Sequence, residues 1–451
     1  MLKWAVLVLV LTVGFSIPGM GRAPSPRGHA IPPAVLHVNW DHYHNYSEMT
    51  DILSGLEALA PGLAELISIG TSWSGSDIWA LAITNKTVGE EKEGILLVGY
   101  HHARERISLE VPLYIAWRLV SEALTNETVA FLLEQAVFYI IPALNPDGIT
   151  VSELNPWQRK NLRPVDDDGD GLIDEDPPED VDGDGKIYYW WNDTAWGFEG
   201  VDNDGDGLLN EDWLGGVDLN RNYGFHWGDP SAMSGSPNPS DEDYRGPDAF
   251  SEPETQALRD FVLGEQTEAI ALAFSYHSGA TCVLYPWAYT SEPCPDEEEL
   301  QRLAKTYGLV AGYPYEGWDI ITYTCSGDWG DWMYGVVGAL PLTIEVYGRH
   351  GDTAWWDAHE EEVNGTYYFK DVWEYFNPPE KEIEDICEKN YQAVLATVFE
   401  FLEISASEEL PASWDVALAF LSLLIAILAL IIVLSLPGRG AGGWRRPYRF
   451  S

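Results

Sequence analysis

The segment Gly94-Ile-Leu-Leu-Val-Gly-Tyr-His-His-Ala-Arg-Glu-Arg-Ile-Ser108 changes character halfway along. Ile95 to Val98 is a short apolar run of the kind a strand covered on both faces needs. After Gly99 the run stops, and Ser108 to Ala123 continues with the spacing of an amphipathic helix. A second apolar run, Ala136 to Leu144, completes a βαβ unit. Between strand and helix stand His102 and Glu105, three residues apart. At that spacing an imidazole nitrogen and a carboxylate oxygen can face one cation, supplying two of the three protein ligands of a catalytic zinc. The same string arises on ordinary exposed helix turns, so its weight depends on what lies further along the chain.

Working outward, 47–64 reads as a helix and 65–71 and 78–85 as strands. Beyond the central unit, 251–265 reads as a helix, 269–276 as a strand, 297–307 as a helix, 340–346 as a strand and 380–403 as a closing helix. The alternation predicts an α/β fold with a mixed, largely parallel twisted sheet and helices on both faces. Ligands of open α/β sheets bind beyond the carboxyl ends of the strands. His102, Asn145, His277 and Glu345 all fall at or just after such ends and are expected to meet at one edge.

The chain of 451 residues carries 25 Lys and Arg against 72 Asp and Glu, a net charge of −47. That balance excludes nucleic acid and anionic membrane surfaces as partners, because phosphate contacts need clustered Lys and Arg. Residues 1–24 have the shape of a secretory signal, with Lys3 before an apolar run and Pro18-Gly19 after it. The 21 residues Val416 to Leu436 carry no charge and as a helix would reach about 31 Å, enough to cross a bilayer. A short acidic linker, 405–415, precedes this transmembrane segment, and the basic tail 437–451 follows it. The positive-inside rule places that tail in the cytoplasm and the rest outside a cell membrane, as a single-pass protein with a monomeric ectodomain. Asn-x-Ser/Thr triplets at Asn45, Asn85, Asn126, Asn192 and Asn364 agree with an outside, glycosylated location. Cys282, Cys294, Cys325 and Cys387 match no zinc pattern and are expected to form one or two disulfides, with the pairing open. No N-terminal propeptide is expected between the signal and the first fold elements.

Several ordered motifs resemble the zinc metallocarboxypeptidases of the carboxypeptidase A type, particularly their broad-specificity bacterial members. They are Gly99 to Ser108, Asn145-Pro-Asp-Gly148, Gly216-Val-Asp-Leu-Asn-Arg-Asn-Tyr223 and Tyr244-Arg-Gly-Pro247 with Ser251-Glu-Pro-Glu-Thr255. Ser275-Tyr-His-Ser278, Tyr323, Asp331-Trp332 and Thr343-Ile-Glu345 complete the set, which spans residues 40–403. The resemblance implies a carboxypeptidase-like catalytic domain over 37–404, with one zinc on His102, Glu105 and His277. It implies Glu345 as general base and Arg159 as the arginine that stabilises the oxyanion. Asn220, Arg221 and Tyr323 would clamp the substrate's terminal carboxylate, Asp218 would orient His102, and Arg104 would serve the next substrate subsite. His101, His37, His42 and His44 are read as non-ligands.

Two departures from the family pattern stand out. Arg106 replaces a usual tryptophan, which would change packing beside the site. Residues 163–215 form an insertion with a repeat: Asp166 to Asp176, Asp202 to Asp212, and a shorter copy, Asp180 to Gly185. Carboxylates at positions 1, 3 and 5 with glycine at 6 begin an EF-hand-type calcium loop. The copies offer Asp166, Asp168, Asp170 and Asp174; Asp180, Asp182 and Asp184; and Asp202, Asp204 and Asp206. Glu175 and Glu211 would substitute for the missing glutamate at position 12, and two or three calcium ions would order the loop.

The expected activity is zinc-dependent removal of single residues from peptide or protein C-termini. Ala288, Trp318, Cys325 and Gly330 match pocket positions and carry no charge, favouring apolar or aromatic terminal residues, while nearby Asp328 would admit Lys or Arg. Two other readings stand beside it. One is a related zinc amidohydrolase of cell-wall peptides. The other is a calcium-dependent surface binding protein on a hydrolase scaffold.

Overall fold

The computed structural model describes residues 36–405 apart from 90–91, 167–169, 206, 211, 214, 265–266 and 316–322. The signal segment, the 416–436 run, the tail, Asp168, Asp206, Glu211 and Trp318 lie outside the described residues. Among the described residues no helix is long and apolar enough to cross a membrane.

Eleven strands are described: β1 (Ala64–Thr71), β2 (Asp77–Ile83), β3 (Glu93–Gly99), β4 (Ala136–Ile141), β5 (Tyr189–Trp191), β6 (Trp196–Phe198), β7 (Ile270–His277), β8 (Thr281–Leu284), β9 (Leu340–Val346), β10 (Glu360–Val363) and β11 (Thr366–Phe369). The helices are α1 (Tyr46–Leu59), α2 (Ile107–Glu122), α3 (Glu127–Gln135), α4 (Gly148–Leu154), α5 (Pro253–Val262), α6 (Glu297–Ala311), α7 (Trp329–Trp332), α8 (Thr353–His359), α9 (Val372–Phe376) and α10 (Ile383–Ser405). Asn45 and Asn126, both in glycosylation triplets, accept backbone N–H bonds as the N-caps of α1 and α3. At α1 the Glu48 carboxylate returns the bond to the Asn45 N–H, closing a capping box.

Seven strands form one sheet in the order β1-β2-β4-β3-β7-β9-β8. The four central strands β4, β3, β7 and β9 are parallel, whereas β1 with β2, β2 with β4, and β8 with β9 are antiparallel. The sheet is therefore mixed as expected, with a parallel centre and antiparallel pairings at both edges. An apolar run reveals that a strand is buried and carries no information about its direction.

Alternate residues of β3 face opposite layers. Ile95 and Leu97 join a cluster with Phe138, Phe274 and residues of α1, α2, α3, α6 and α10. Leu96 and Val98 join a second cluster with Tyr139, Ala273, Leu258 of α5 and Trp332 of α7. Each fully buried side chain of this size contributes about 1.5–3 kcal/mol, so the strand ends that carry the site stand on a core packed on both faces.

The insertion is bound to this body. Its base closes where Asn161 N–H donates to the Val217 carbonyl (3.1 Å) and Val217 N–H donates to Asn161 Oδ1 (2.8 Å). Further out, β5 and β6 join β10 and β11 in a second sheet, ordered β10-β11-β5-β6. Under it Trp157, Trp356, Phe369 and Phe376 form a separate aromatic cluster.

Among the described residues there is no disulfide, which corrects the expectation of one or two. Cys282 on β8, Cys294 ahead of α6, Cys325 before α7 and Cys387 on α10 are all buried as thiols. Arg106 is buried too. Its guanidinium donates to the carbonyls of Ile149 (3.0 Å) and His44 (2.9 Å) and pairs with Glu153 at 3.2 Å, so polar bracing stands where the resemblance led to an expected aromatic.

Candidate active site

β3 ends at Gly99, where an added Cβ would lie 2.2 Å from the Ser108 carbonyl, so only glycine permits this approach. Tyr100 then adopts a left-handed conformation (φ +57), and its hydroxyl donates to the Ala103 carbonyl. This turn carries His102 and Glu105 to the end of the parallel strands. β7 delivers His277 there as its last residue, and β9 sets Glu345 directly opposite it in register.

His102, Glu105 and His277 are all buried, and each offers a ligand atom within 4.8 Å of the others. His102 Nδ1 lies 2.8 Å from Glu105 Oε1 and 3.3 Å from His277 Nδ1, which in turn lies 3.2 Å from Glu105 Oε2. The outer nitrogens have other partners: His102 Nε2 meets Asp218 Oδ1 at 3.0 Å and His277 Nε2 meets Ser275 Oγ at 3.0 Å. Both ring nitrogens of His102 face a carboxylate, which only accepts; with a cation among the inner groups, His102 would keep its proton on Nε2 for Asp218 and turn a bare Nδ1 lone pair inward. Such lone pairs and a carboxylate repel one another unless a cation lies among them, and two imidazoles with one carboxylate are a donor set suited to zinc. Burial alone would raise the Glu105 carboxyl; the two imidazoles outweigh it and hold it well below the usual range.

Asp218 is the hub of the floor. Oδ1 accepts from His102 and from the Asn220 N–H (2.9 Å), and Oδ2 accepts from Arg159 Nε at 2.9 Å. Its burial is overcome by Arg159, His102 and Arg221, which keep it ionised. Arg159 reaches to 3.8 Å from Glu105 Oε1. Arg221 is buried, with Nε donating to Ser234 Oγ (3.0 Å) and Nη1 to the Asn220 carbonyl (2.8 Å). Asn220 Oδ1 accepts from the Trp329 N–H at 2.9 Å. Tyr323 is exposed and lies in the field of Arg221, Arg159 and Glu345. Glu345 is half-buried, and burial together with the nearby Glu105 charge pushes its carboxyl up to about 7.

Other sequence-derived candidates are placed differently. The Arg104 guanidinium is held bidentately by Glu242 (2.9 and 3.1 Å), donates to the Trp157 carbonyl and lies over the Phe376 ring at 4.4 Å, so it is engaged within the protein. Asn145 braces the turn, with Nδ2 donating to the His101 and Lys160 carbonyls (3.4 Å each). Ala288 and Cys325 are buried near α7, where Asp328 Oδ1 caps the helix through Gly330 N–H (2.8 Å) and Asp331 N–H (3.2 Å). Asp328 Oδ2 is buried with no hydrogen-bond partner.

In the insertion, Asp170 and Glu175 of the first copy converge with Asp204 of the second. The two copies pair back to back: Asp174 N–H donates to Asp212 Oδ2 (3.2 Å) and Asn210 N–H to Asp176 Oδ2 (2.9 Å). Asp180 and Asp182 converge with Glu199, which sequence reasoning missed. Asp184 does not join them; Lys370 pairs with it at 2.5 Å and lies 3.5 Å from Asp182. Asp166 and Asp202 accept from the glycine N–H of their own loops, at Gly171 (3.1 Å) and Gly207 (3.0 Å), and Asp174 accepts from Gly215.

Ser275 and Ser234 also escaped the sequence reading. Ser275 shares a face of β7 with His277, two residues away, and that period was the available signal. Nothing local marks Ser234.

A sequence profile of the zinc carboxypeptidases, peptidase family M14, matches residues 49–393. Carboxypeptidase B of Astacus astacus is 28% identical over 323 residues, covering 70% of this chain and 90% of its own. The inactive metallocarboxypeptidase ecm14 of Talaromyces stipitatus is 26% identical over 288 residues, covering 61% of this chain and 40% of that protein. The crystal structure of carboxypeptidase A from Helicoverpa armigera shares the fold, with a TM-score of 0.57, 20% identity, and coverage of 80% of this chain and 74% of its own. The family uses one catalytic zinc, which the convergent histidines and glutamate fit, and a profile match over more than half of the chain makes this protein a member of the zinc carboxypeptidase family.

Proposed function

We propose that this protein is an active exopeptidase that removes single residues from the C-termini of peptides or proteins. The observation that carries the reading is the buried Arg221, oriented by Ser234 and Asn220 on the same floor as the His102, Glu105 and His277 set. A planar, permanently charged fork is what a terminal carboxylate requires. When bound, zinc supplies Lewis-acid polarisation of the scissile carbonyl and of a water. Glu345 takes the water's proton and returns it to the leaving amine. Arg159, held by Asp218, stands ready for negative charge developing on the carbonyl oxygen. Asn220, Arg221 and Tyr323 hold the terminal carboxylate. These residues are all present, which supports activity in a family that includes a relative named inactive. The motif set supports kinship with the broad-specificity bacterial members. Uncharged Ala288, Cys325 and Gly330 favour apolar or aromatic terminal residues, and the unpartnered Asp328 Oδ2 supports acceptance of Lys and Arg as well.

The test is mass spectrometry of peptides that differ only in the last residue, treated with the full-length chain with and without a zinc chelator. Chelator-sensitive loss of single C-terminal residues is expected. Intact peptides from folded, zinc-loaded protein would overturn the reading in favour of another amide substrate.

The proposal extends to location and to a second metal. Residues 1–24 as a signal and 416–436 as an anchor support an outward-facing enzyme on the cell membrane. Calcium binding by the insertion is supported by Asp170, Glu175 and Asp204, where both Glu175 oxygens are buried without a hydrogen-bond partner. Burying an unpaired carboxylate costs several kcal/mol, and a cation removes that cost. In the third copy the Lys370 ammonium already supplies a positive charge. A calcium-selective chelator that spares zinc is expected to lower the melting midpoint by about 5 °C and open 163–215 to proteolysis. An unchanged melting curve and cleavage pattern would count against calcium.

A further inference from the structure

Behind the metal-binding set runs a line of buried polar groups that the proposed reaction does not use. His277 Nε2 lies 3.0 Å from Ser275 Oγ, Ser275 Oγ lies 3.4 Å from His101 Nδ1, and His101 Nε2 lies 3.0 Å from the Tyr223 hydroxyl. Ser275, His101 and Tyr223 are fully buried, and His277 nearly so. The His101 ring also stacks on His277, with centroids 5.2 Å apart and planes inclined by 23°. In sequence His101 is merely the neighbour of His102. In the fold it turns away from that residue's site and sits behind the other histidine.

One donor direction runs the whole length of the line. With the His277 Nδ1 lone pair facing the other ligands, its proton is on Nε2 and is donated to Ser275 Oγ. A hydroxyl that accepts this bond is free to donate its own hydrogen, and His101 Nδ1 is the acceptor in reach. His101 then carries its proton on Nε2 and donates to Tyr223. From His277 to the Tyr223 oxygen, each N–H or O–H then has an acceptor.

We infer that His101 is a positioning residue that acts through Ser275 to fix the tautomer and ring orientation of His277, so that its Nδ1 is held ready for zinc. His102 receives the same service from Asp218, a charged acceptor; for His277 a neutral line of three groups supplies it. Outer partners of metal-binding histidines affect metal affinity about 10- to 100-fold. The inference deepens the zinc-peptidase reading and rests on it for the identity of the metal.

The test uses the full-length chain with His101→Leu, which removes the acceptor at similar bulk, and His101→Asn, whose short amide returns an acceptor toward Ser275. Zinc affinity is read by chelator competition, and the visible spectrum of the cobalt-loaded protein reports ligand geometry. His101→Leu is expected to weaken zinc about tenfold and shift the cobalt bands, with His101→Asn recovering most of both. Ser275→Ala is expected to match His101→Leu, and the double variant to be no worse than either, because both cut one line. Wild-type zinc affinity and cobalt spectrum in His101→Leu would overturn the inference. So would equal losses in the Leu and Asn variants, which would reduce His101 to packing. If His101→Leu does not fold, His101→Phe, which keeps a ring in the slot without an acceptor, decides: a tenfold loss supports the inference and an unchanged affinity overturns it. Both readouts are made without substrate. A protein that shows these shifts yet cleaves no peptide therefore keeps this inference and loses the exopeptidase reading.

Discussion

Glu345→Gln is expected to lower kcat by about 10³-fold or more while leaving zinc content at one per chain. Glutamine matches the size of glutamate and preserves the register of β9 against His277, so the metal-binding set is undisturbed. What the substitution removes is the capacity proposed for this carboxylate, acceptance of a proton from the attacking water. The same group is expected to set the acid limb of kcat/KM. Its carboxyl is pushed up to about 7 by burial and by Glu105, and a cation in the neighbouring site pulls it back toward the ordinary carboxylate value of about 4.3. Because the base form is required, activity falls as pH drops through the folded-state value, and the limb is expected between about 4.3 and 7. Zinc analysis of the variant beside its steady-state rates checks the first claim, and a wild-type pH profile checks the second. Near-normal turnover in Glu345→Gln would remove the general-base assignment.

The second large effect is expected at Arg221. Arg221→Met keeps an unbranched stem in the buried slot and removes the fork, so kcat/KM should fall about 10²- to 10³-fold, or roughly 3–4 kcal/mol. The informative comparison is with peptides amidated at the C-terminus. Wild-type enzyme should discriminate strongly against the amide, and the variant should treat amide and acid nearly alike, because the charge that distinguishes them has gone. A variant that still prefers the free acid by the wild-type factor would place the carboxylate elsewhere. Since Arg221 also lies in the field of Asp218, zinc content and melting behaviour should be followed in parallel.

Much of this architecture was legible before any coordinates. The runs at 94–100, 269–276 and 340–346 became β3, β7 and β9 within a residue or two, because strands buried on both faces must be apolar at every position. The amphipathic segment after Ser108 became α2 for the equally local reason of helical spacing. His102, His277 and Glu345 could be expected together because parallel strands bring their carboxyl ends to one edge. Asn145 reached the same edge yet serves as a brace, since proximity in a topology does not decide which atoms a side chain bonds.

What escaped the sequence depended on partners far along the chain. Strands β5, β6, β10 and β11 are only three or four residues long, too short to show a period, and become a sheet only when 189–198 meets 360–369. Nothing local in the sequence links Arg104 to Glu242, 138 residues away, whose carboxylate it meets. Glu199 joined Asp180 and Asp182 from outside their motif.

The sequence by itself determined the order of buried strands and helices, the family, and which residue types stand at the strand ends, because periodicity and motif spacing are written over a few neighbouring residues. Only the tertiary structure decided the antiparallel edges, the capture of Arg104, the thiol state of the cysteines and the line from His277 to Tyr223. Each of those is fixed by a distance between residues that the chain does not place side by side, and such distances exist only once the core has packed.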